Sequence, residues 1–277
     1  MSLVVSTRGR KAELGRLLAS LAVQSEPDFE LVVVDQNPPG YLDDVLAGSR
    51  LGLRRTTSAA GLSLGRNAGL AIARGAIVGF PDDDCWYDPD TVGAVVAAFG
   101  RDPAIGVLLG RTVDAAGRES LGRFLAEGGP VDRYTVWGAG NSNSLFIRRD
   151  VAVAVGGFDE ALGVGAATPF QSGEETDFVL RAMASGARVI YRPELAIRHD
   201  QVDATIGPAE VDRARRYSRG FGRVLRKHRY PVAYVASRVA RPLARSLLAA
   251  LTGGRGLAAY KAAWALGTVR GYLARAG

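Results

Sequence analysis

Asp82, Asp83 and Asp84 stand side by side after Pro81, behind the apolar residues Ala76, Ile77, Val78 and Phe80. A short apolar run bounded by turn residues predicts a buried strand, so the three acids fall at a strand end. Adjacent carboxylates repel unless something cationic neutralises them. Oxygen-rich sites of this kind suit Mg²⁺ or Mn²⁺, held by one or two carboxylates together with substrate phosphates. The competing reading is a solvated acidic turn, with Asp88 capping a helix that begins near Pro89. A second acidic set, Glu174, Glu175 and Asp177, opens an amphipathic segment with Phe178, Val179 and Met183 as its apolar stripe. Acids in a first helical turn complement the helix dipole, which accounts for one or two of them. Three in four residues is more than a cap requires.

The elements that must position these acids follow from the apolar pattern. Leu3–Ser6 reads as a strand, and Leu14, Leu17, Leu18 and Leu21 recur at helical spacing. The continuous apolar run Phe29–Val34 is a strand of the kind found in parallel sheets, and it ends at Asp35. Strand, helix, strand is a βαβ unit, and such sheets bind ligands outside the carboxyl ends of their strands. Thr7, Asp35 and Asp82–Asp84 would share that edge. A helix from Ser63, stopped by Gly75, carries Arg66 in its first turn. A cation is unfavourable there, so Arg66 is expected to face a ligand or an acid. Further helices are expected at Thr91–Phe99 and from Glu174 to a Gly186 stop. Further strands are expected at Ile105–Val113, Ser144–Arg148, Arg188–Tyr191 and Ala196–Asp200, the last carrying His199.

Composition excludes several classes. The 277 residues are 47% hydrophobic and 23% charged, ordinary for a globular chain with a sizeable core. One cysteine, Cys85, allows no internal disulfide, and two histidines leave no room for a Cys/His zinc site. No leader-like stretch follows Met1, and a reducing, cytoplasmic setting is the expectation. The net charge of +7 is unevenly divided. Residues 1–200 hold 20 Lys+Arg against 25 Asp+Glu (−5), whereas residues 201–277 hold 15 against 3 (+12).

The motifs together resemble family 2 glycosyltransferases of the nucleotide-diphospho-sugar transferase (GT-A) fold. VVSTRGR near the start, VVVDQ, GLSLGRNAGL, the three aspartates before a Pro-Asp pair, GGFDE, GEETD and a late His occur in that family's order over residues 1–200. The resemblance implies an α/β, Rossmann-like fold with a mostly parallel central sheet flanked by helices. It implies a catalytic domain at 1–204, followed at 205–277 by a basic helical extension. It further implies an inverting transfer of a hexosyl group from a nucleotide-diphospho-sugar to the hydroxyl of a glycan or lipid-linked acceptor, in cell-surface polysaccharide or glycolipid synthesis. By that resemblance Thr7, Arg8, Asp35, Arg66, Asp82 and Asp83 would contact the nucleotide sugar. Asp84 and His199 would hold Mn²⁺ or Mg²⁺. Glu175 stands where the family places its base, usually an Asp, so Glu174 and Asp177 remain rivals for the role.

Three alternatives were weighed against the transferase. Nucleotidyltransferases carry a glycine-rich loop near the N-terminus, but Ser6–Lys11 has only Gly9. A phosphatase with a DxD nucleophile conflicts with the motif order. A non-catalytic nucleotide-sugar binder or membrane-docked scaffold would have no use for the second acid set. The tail beyond residue 205 lacks any nucleic-acid-binding signature, so no nucleic acid is expected. Arg238, Arg241 and Arg245 share a helix face, and Tyr260, Trp264 and Tyr272 lie near Lys261 and Arg270. Basic amphipathic helices with aromatic residues predict a peripheral contact with an anionic membrane, at the inner face of the cell membrane. Packing of the tail on the core or on a second subunit is the other reading.

Overall fold

The computed structural model describes residues 1–201 and 205–274. The boundary expected after Ala204 and residues 275–277 of the tail lie outside them. The chain forms two compact units: Met1–Phe158 with Phe178–Val202, and Asp159–Asp177 with Asp203–Gly277.

The first unit is a sheet between helices. In chain order it holds β1 (Ser2–Thr7), α1 (Lys11–Leu21), β2 (Glu30–Asp35), α2 (Asp43–Ala47), β3 (Leu53–Thr57), α3 (Leu62–Ile72), β4 (Ile77–Gly79) and β5 (Cys85–Trp86). There follow α4 (Thr91–Arg101), β6 (Ile105–Val113), β7 (Gly129–Pro130), β8 (Leu145–Arg148), α5 (Arg149–Ala154) and β9 (Arg188–His199). Helix α6 (Glu174–Ala184) begins in the second unit and ends in the first. The strand order is β3-β2-β1-β4-β8-β6-β9-β5, with β7 beside β9. β1, β2, β3 and β4 pair in parallel, as do β6 and β9, while β8 enters antiparallel between β4 and β6.

Period-two alternation explains how β1 serves two layers. Leu3 and Val5 join Leu14, Leu17, Leu18 and Leu21 of α1 and Val92, Val95 and Phe99 of α4 in one core. Each such fully buried aliphatic side chain contributes about 1.5–3 kcal/mol relative to exposure. Val4 and Ser6 point to the opposite face, where α3 lies so close that a Cβ on Gly69 would strike Val4 and one on Gly65 would strike Ser6. The glycines of GLSLGRNAGL thus let α3 seat directly on β1 and β2.

Two expectations are corrected. Arg188–Tyr191 and Ala196–Asp200 are one continuous strand, β9, whose pairing with β6 shifts register between Leu109 and Arg111 to absorb the interruption. Asp88 does not cap α4. The N-cap is Asp90, and the Asp88 carboxylate instead accepts from Arg198 Nε at 3.0 Å and Nη2 at 2.9 Å.

In the second unit, α7 (Pro208–Lys227), α8 (Val232–Leu251) and α9 (Arg255–Leu273) form a helical bundle. α7 and α9 approach through glycines. A Cβ on Gly222 would collide with the Thr268 carbonyl oxygen, and one on Gly271 with that of Arg219. Ser218 and Thr268 are buried between them. Among the described residues no helix is long and apolar enough to cross a membrane.

Candidate functional site

The carboxyl ends of the strands in the first unit collect the expected polar residues. β1 ends at Thr7 and β2 at Asp35, paired in register. β4 ends at Gly79 and delivers Phe80-Pro81 and then the three aspartates. The antiparallel pairing of β5 with β9 sets Cys85 opposite His199, which brings the imidazole beside Asp84.

Each aspartate meets a different environment. Asp82 Oδ1 accepts from Arg66 Nη2 at 2.9 Å, and its Oδ2 accepts from Ser142 Oγ at 3.3 Å. Arg66 is almost fully buried, stacks over Phe158 at 5.3 Å, and so has the acid partner that its place in α3 called for. Asp83 is buried, and burial together with the charges of its two neighbours pushes its carboxyl up to about 6. Arg10 Nη1, 3.3 Å away, offsets only part of this. Asp84 also pairs with Arg10, and its Oδ1 lies 3.3 Å from His199 Nε2. Burial would raise the Asp84 carboxyl, but the imidazole and the guanidinium outweigh it and hold it below the usual value. The hydrogen bond to Asp84 in turn raises His199. His199 Nδ1 lies 2.6 Å from the Asp200 carbonyl oxygen, which fixes a proton on Nδ1 and turns Nε2 toward Asp84.

This donor set fits a hard divalent cation. Adjacent ligands on an octahedral ion with bonds of about 2.1 Å lie about 3 Å apart, close to the separation of Asp84 Oδ1 and His199 Nε2. Among the described residues no group of three or more His, Cys, Asp or Glu side chains is gathered to hold an ion. Two protein ligands with the remainder from phosphate and water is the usual arrangement for Mg²⁺.

Asp35 sits deeper than a strand-end acid open to ligand would. It is 2% exposed, accepts from Asn37 N and Nδ2 at 2.9 and 2.8 Å, and accepts from Arg55 Nη2 at 2.5 Å. Those bonds outweigh burial and lower its carboxyl. Arg8 is exposed in the loop after β1, and Thr7 is buried at its start. Asn37 and Ser142 were not singled out from sequence. Asn37 Oδ1 accepts from Gly9 N at 2.5 Å and its Nδ2 donates to Thr7 O at 3.2 Å, tying the two strand-end loops together.

The second acid set lies in the second unit, at the start of α6. Gly173, in the left-handed region at φ +85°, turns the chain into the helix, and a Cβ there would press on Val224 of α7. Ser172 Oγ donates to the Tyr217 carbonyl at 2.7 Å. Asp177 is fully buried. Its Oδ1 lies 2.7 Å from His228 Nε2 and 2.8 Å from Lys227 Nζ, and the same Nζ lies 2.6 Å from Asp159 Oδ2. Glu174 is buried, whereas Glu175 is partly exposed and accepts from Thr176 Oγ1 at 3.2 Å. Lys227 and His228 gave no signal in the sequence beyond their place in a basic run, because 50 residues separate them from the acid they hold.

Comparison with known proteins agrees with this geometry. The model of the family described as glycosyl transferase family 2 matches residues 2–150. No curated protein sequence matches. Among solved structures, the chain is similar to TarS of S. aureus at 19% identity and a TM-score of 0.62, over 95% of this chain and 54% of that one. It is also similar to TarS 1-349 in complex with UDP-GlcNAc, at 18% identity and a TM-score of 0.62, over 97% of this chain and 91% of that one. The mannosyltransferase PcManGT from Pyrobaculum calidifontis, in complex with GDP-Man and Mn²⁺, superposes at 16% identity and a TM-score of 0.64, over 98% of this chain and 85% of that one. The chain thus spans about half of the longer TarS structure and most of its 1-349 fragment. The likeness to these structures is one of fold, and the matched family model covers more than half of the sequence: the chain belongs to glycosyl transferase family 2.

Proposed function

We propose that this glycosyltransferase moves a hexosyl group from a nucleotide-diphospho-sugar to the hydroxyl of a glycan or lipid-linked acceptor, with inversion at the anomeric carbon, in cell-surface polysaccharide or glycolipid synthesis. The observation that carries the reading is the Asp84–His199 pair, 3.3 Å apart at the carboxyl-end edge of a family 2 sheet. Asp84 and His199 would hold Mn²⁺ or Mg²⁺, which supplies positive charge for the departing diphosphate. Asp82, fixed by Arg66, and Asp83 would border the donor, with Thr7, Arg8 and Asp35 toward the nucleotide.

Glu175 is the residue we assign as base. The Asp177 carboxylate is fully buried and engaged by Lys227 and His228, and Glu174 is buried, so Glu175 is the most accessible of the three. It takes the acceptor proton as the oxygen attacks the anomeric carbon and the bond to the diphosphate breaks on the opposite face. The basic tail adds a peripheral position at the inner face of a membrane, where a lipid-linked acceptor would reside.

Thermal-shift measurements with UDP-, GDP- and dTDP-sugars, with and without Mn²⁺, test the donor assignment. Stabilisation by a donor at a hundredfold excess over Kd is about 2.7 kcal/mol. Metal-dependent stabilisation by one nucleotide class is expected. No stabilisation by any of them at millimolar concentration overturns it.

A further inference from the structure

We propose that the outer stripe of α8 is a docking face for an anionic lipid bilayer. The proposal deepens the peripheral part of the reading above, on which it rests, and is independent of the transfer chemistry. Residues 231–274 contain six cations (Arg238, Arg241, Arg245, Arg255, Lys261 and Arg270) and no Asp or Glu. Within the same stretch α8 and α9 expose eight large apolar side chains, against six in the rest of the described chain.

Helical geometry gathers the α8 members on one side. Val232, Ala236, Ala240, Leu243, Leu247 and Leu251 are spaced four, four, three, four and four residues apart, so they form a single stripe along the 20-residue helix. All six are exposed, Val232 at 74%, Leu247 at 68% and Leu251 at 86%. The packed side of α8 lies elsewhere, at Val235 and Ala249. Beside the stripe runs the row Arg238, Arg241 and Arg245, of which Arg241 and Arg245 are exposed and Arg238 stacks on Tyr234 at 4.8 Å. Apolar side chains flanked by guanidinium groups match the boundary between acyl chains and anionic headgroups. A second copy of this chain is the poorer occupant, because pairing the two faces would bring the arginine rows together with no acid in either helix to neutralise them.

The aromatic residues are not the contact. Trp264 packs on Phe221 with ring centroids 6.1 Å apart, Tyr260 stacks on Trp264, and Arg226 covers Tyr272. The leucines of α8, and not the aromatic residues of α9, face outward.

Flotation of the full chain with phosphatidylcholine vesicles and with phosphatidylcholine–phosphatidylglycerol vesicles tests the proposal. Wild type is expected to float with the anionic vesicles and to remain in solution with the neutral ones. The variant Leu243→Gln/Leu247→Gln/Leu251→Gln should lose at least about tenfold in partitioning, since every changed side chain is already in water and no core contact is removed. Arg241→Gln/Arg245→Gln should weaken partitioning about fivefold per arginine, less so at high salt. Circular dichroism and gel filtration check that both variants fold. Flotation that the leucine variant retains overturns the α8 face while leaving a peripheral contact through another part of the tail. No flotation by wild type overturns both, and so does a leucine-dependent dimer that ignores vesicles. None of these results bears on donor-induced stabilisation, which tests the transfer reading separately.

Discussion

Asp82–Asp84 and Glu174–Asp177 are both compact acidic runs in a family 2 chain, and they balance their charge by opposite means. The first is answered by several cations from separate elements: Arg66 at Asp82, Arg10 at Asp83 and Asp84, and His199 at Asp84. Even so, Asp83 is left with its carboxyl raised to about 6. The second concentrates its neutralisation on one member, Asp177, where Lys227 and His228 converge on a single oxygen. An under-neutralised run is suited to accepting more positive charge. A run with one acid fixed and another partly exposed is suited to presenting a base at a set angle. Similar composition therefore serves two chemistries.

The sharpest break in that comparison is Glu175→Gln. Loss of the base should lower the transfer rate by ~10²–10⁴ while donor-induced thermal stabilisation stays at the wild-type level. Full turnover would move the role to a rival acid. Asp84→Ala should do the reverse at the binding step. The ~2.7 kcal/mol of stabilisation expected at a hundredfold donor excess should fall to near zero, and Mn²⁺ should no longer alter it. A metal response that persists in that variant would remove Asp84 from the ligand set.

Stability separates the two runs further. Asp177→Asn strands Lys227 and His228 against a neutral partner and should cost about 2 kcal/mol, read as a lower urea midpoint with an unchanged slope. Asp83→Asn removes a buried charge from between two others and should raise the midpoint by about 1 kcal/mol at neutral pH. If both substitutions destabilise equally, the distinction between a repelling and a paired run fails. Arg10→Gln is the mildest case. Arg10 is half exposed, so losing its pairs should change stability by at most about 1 kcal/mol, and salt should shrink the difference.

Local signals in the sequence located most of the scaffold. Ile105–Val113 was readable as a strand because its apolar run is unbroken, and Leu14, Leu17, Leu18 and Leu21 are all buried where their spacing put them. β9 was legible only as two pieces, since Arg192-Pro193-Glu194 interrupts the apolar run and only its pairing with β6 carries the strand through. Asp88 has the composition of a cap, yet Arg198, 110 residues away, claims it. The same distance in sequence hid the engagement of Asp177. A capping or helix-forming preference is written within a few residues, whereas an ion pair across 50 residues is decided by the fold and leaves no local pattern. The tail aromatic residues misled for a related reason. Their type suits an interface, but packing on Phe221 was available to them first.

The glycine-lined contact between α7 and α9 has a consequence for the order in which the protein becomes competent during synthesis. The sheet of the first unit is complete once His199 has been made. The partners of the second acid set, Lys227 and His228, emerge later, and the helix that seats α7 follows later still, through Gly267 and Gly271. A nascent chain therefore holds its strand-end aspartates in place before Asp177 has any cation to meet. Domains generally fold as units as they are made. The growing chain can form its donor side first and gain a fixed acid motif only with its last helix.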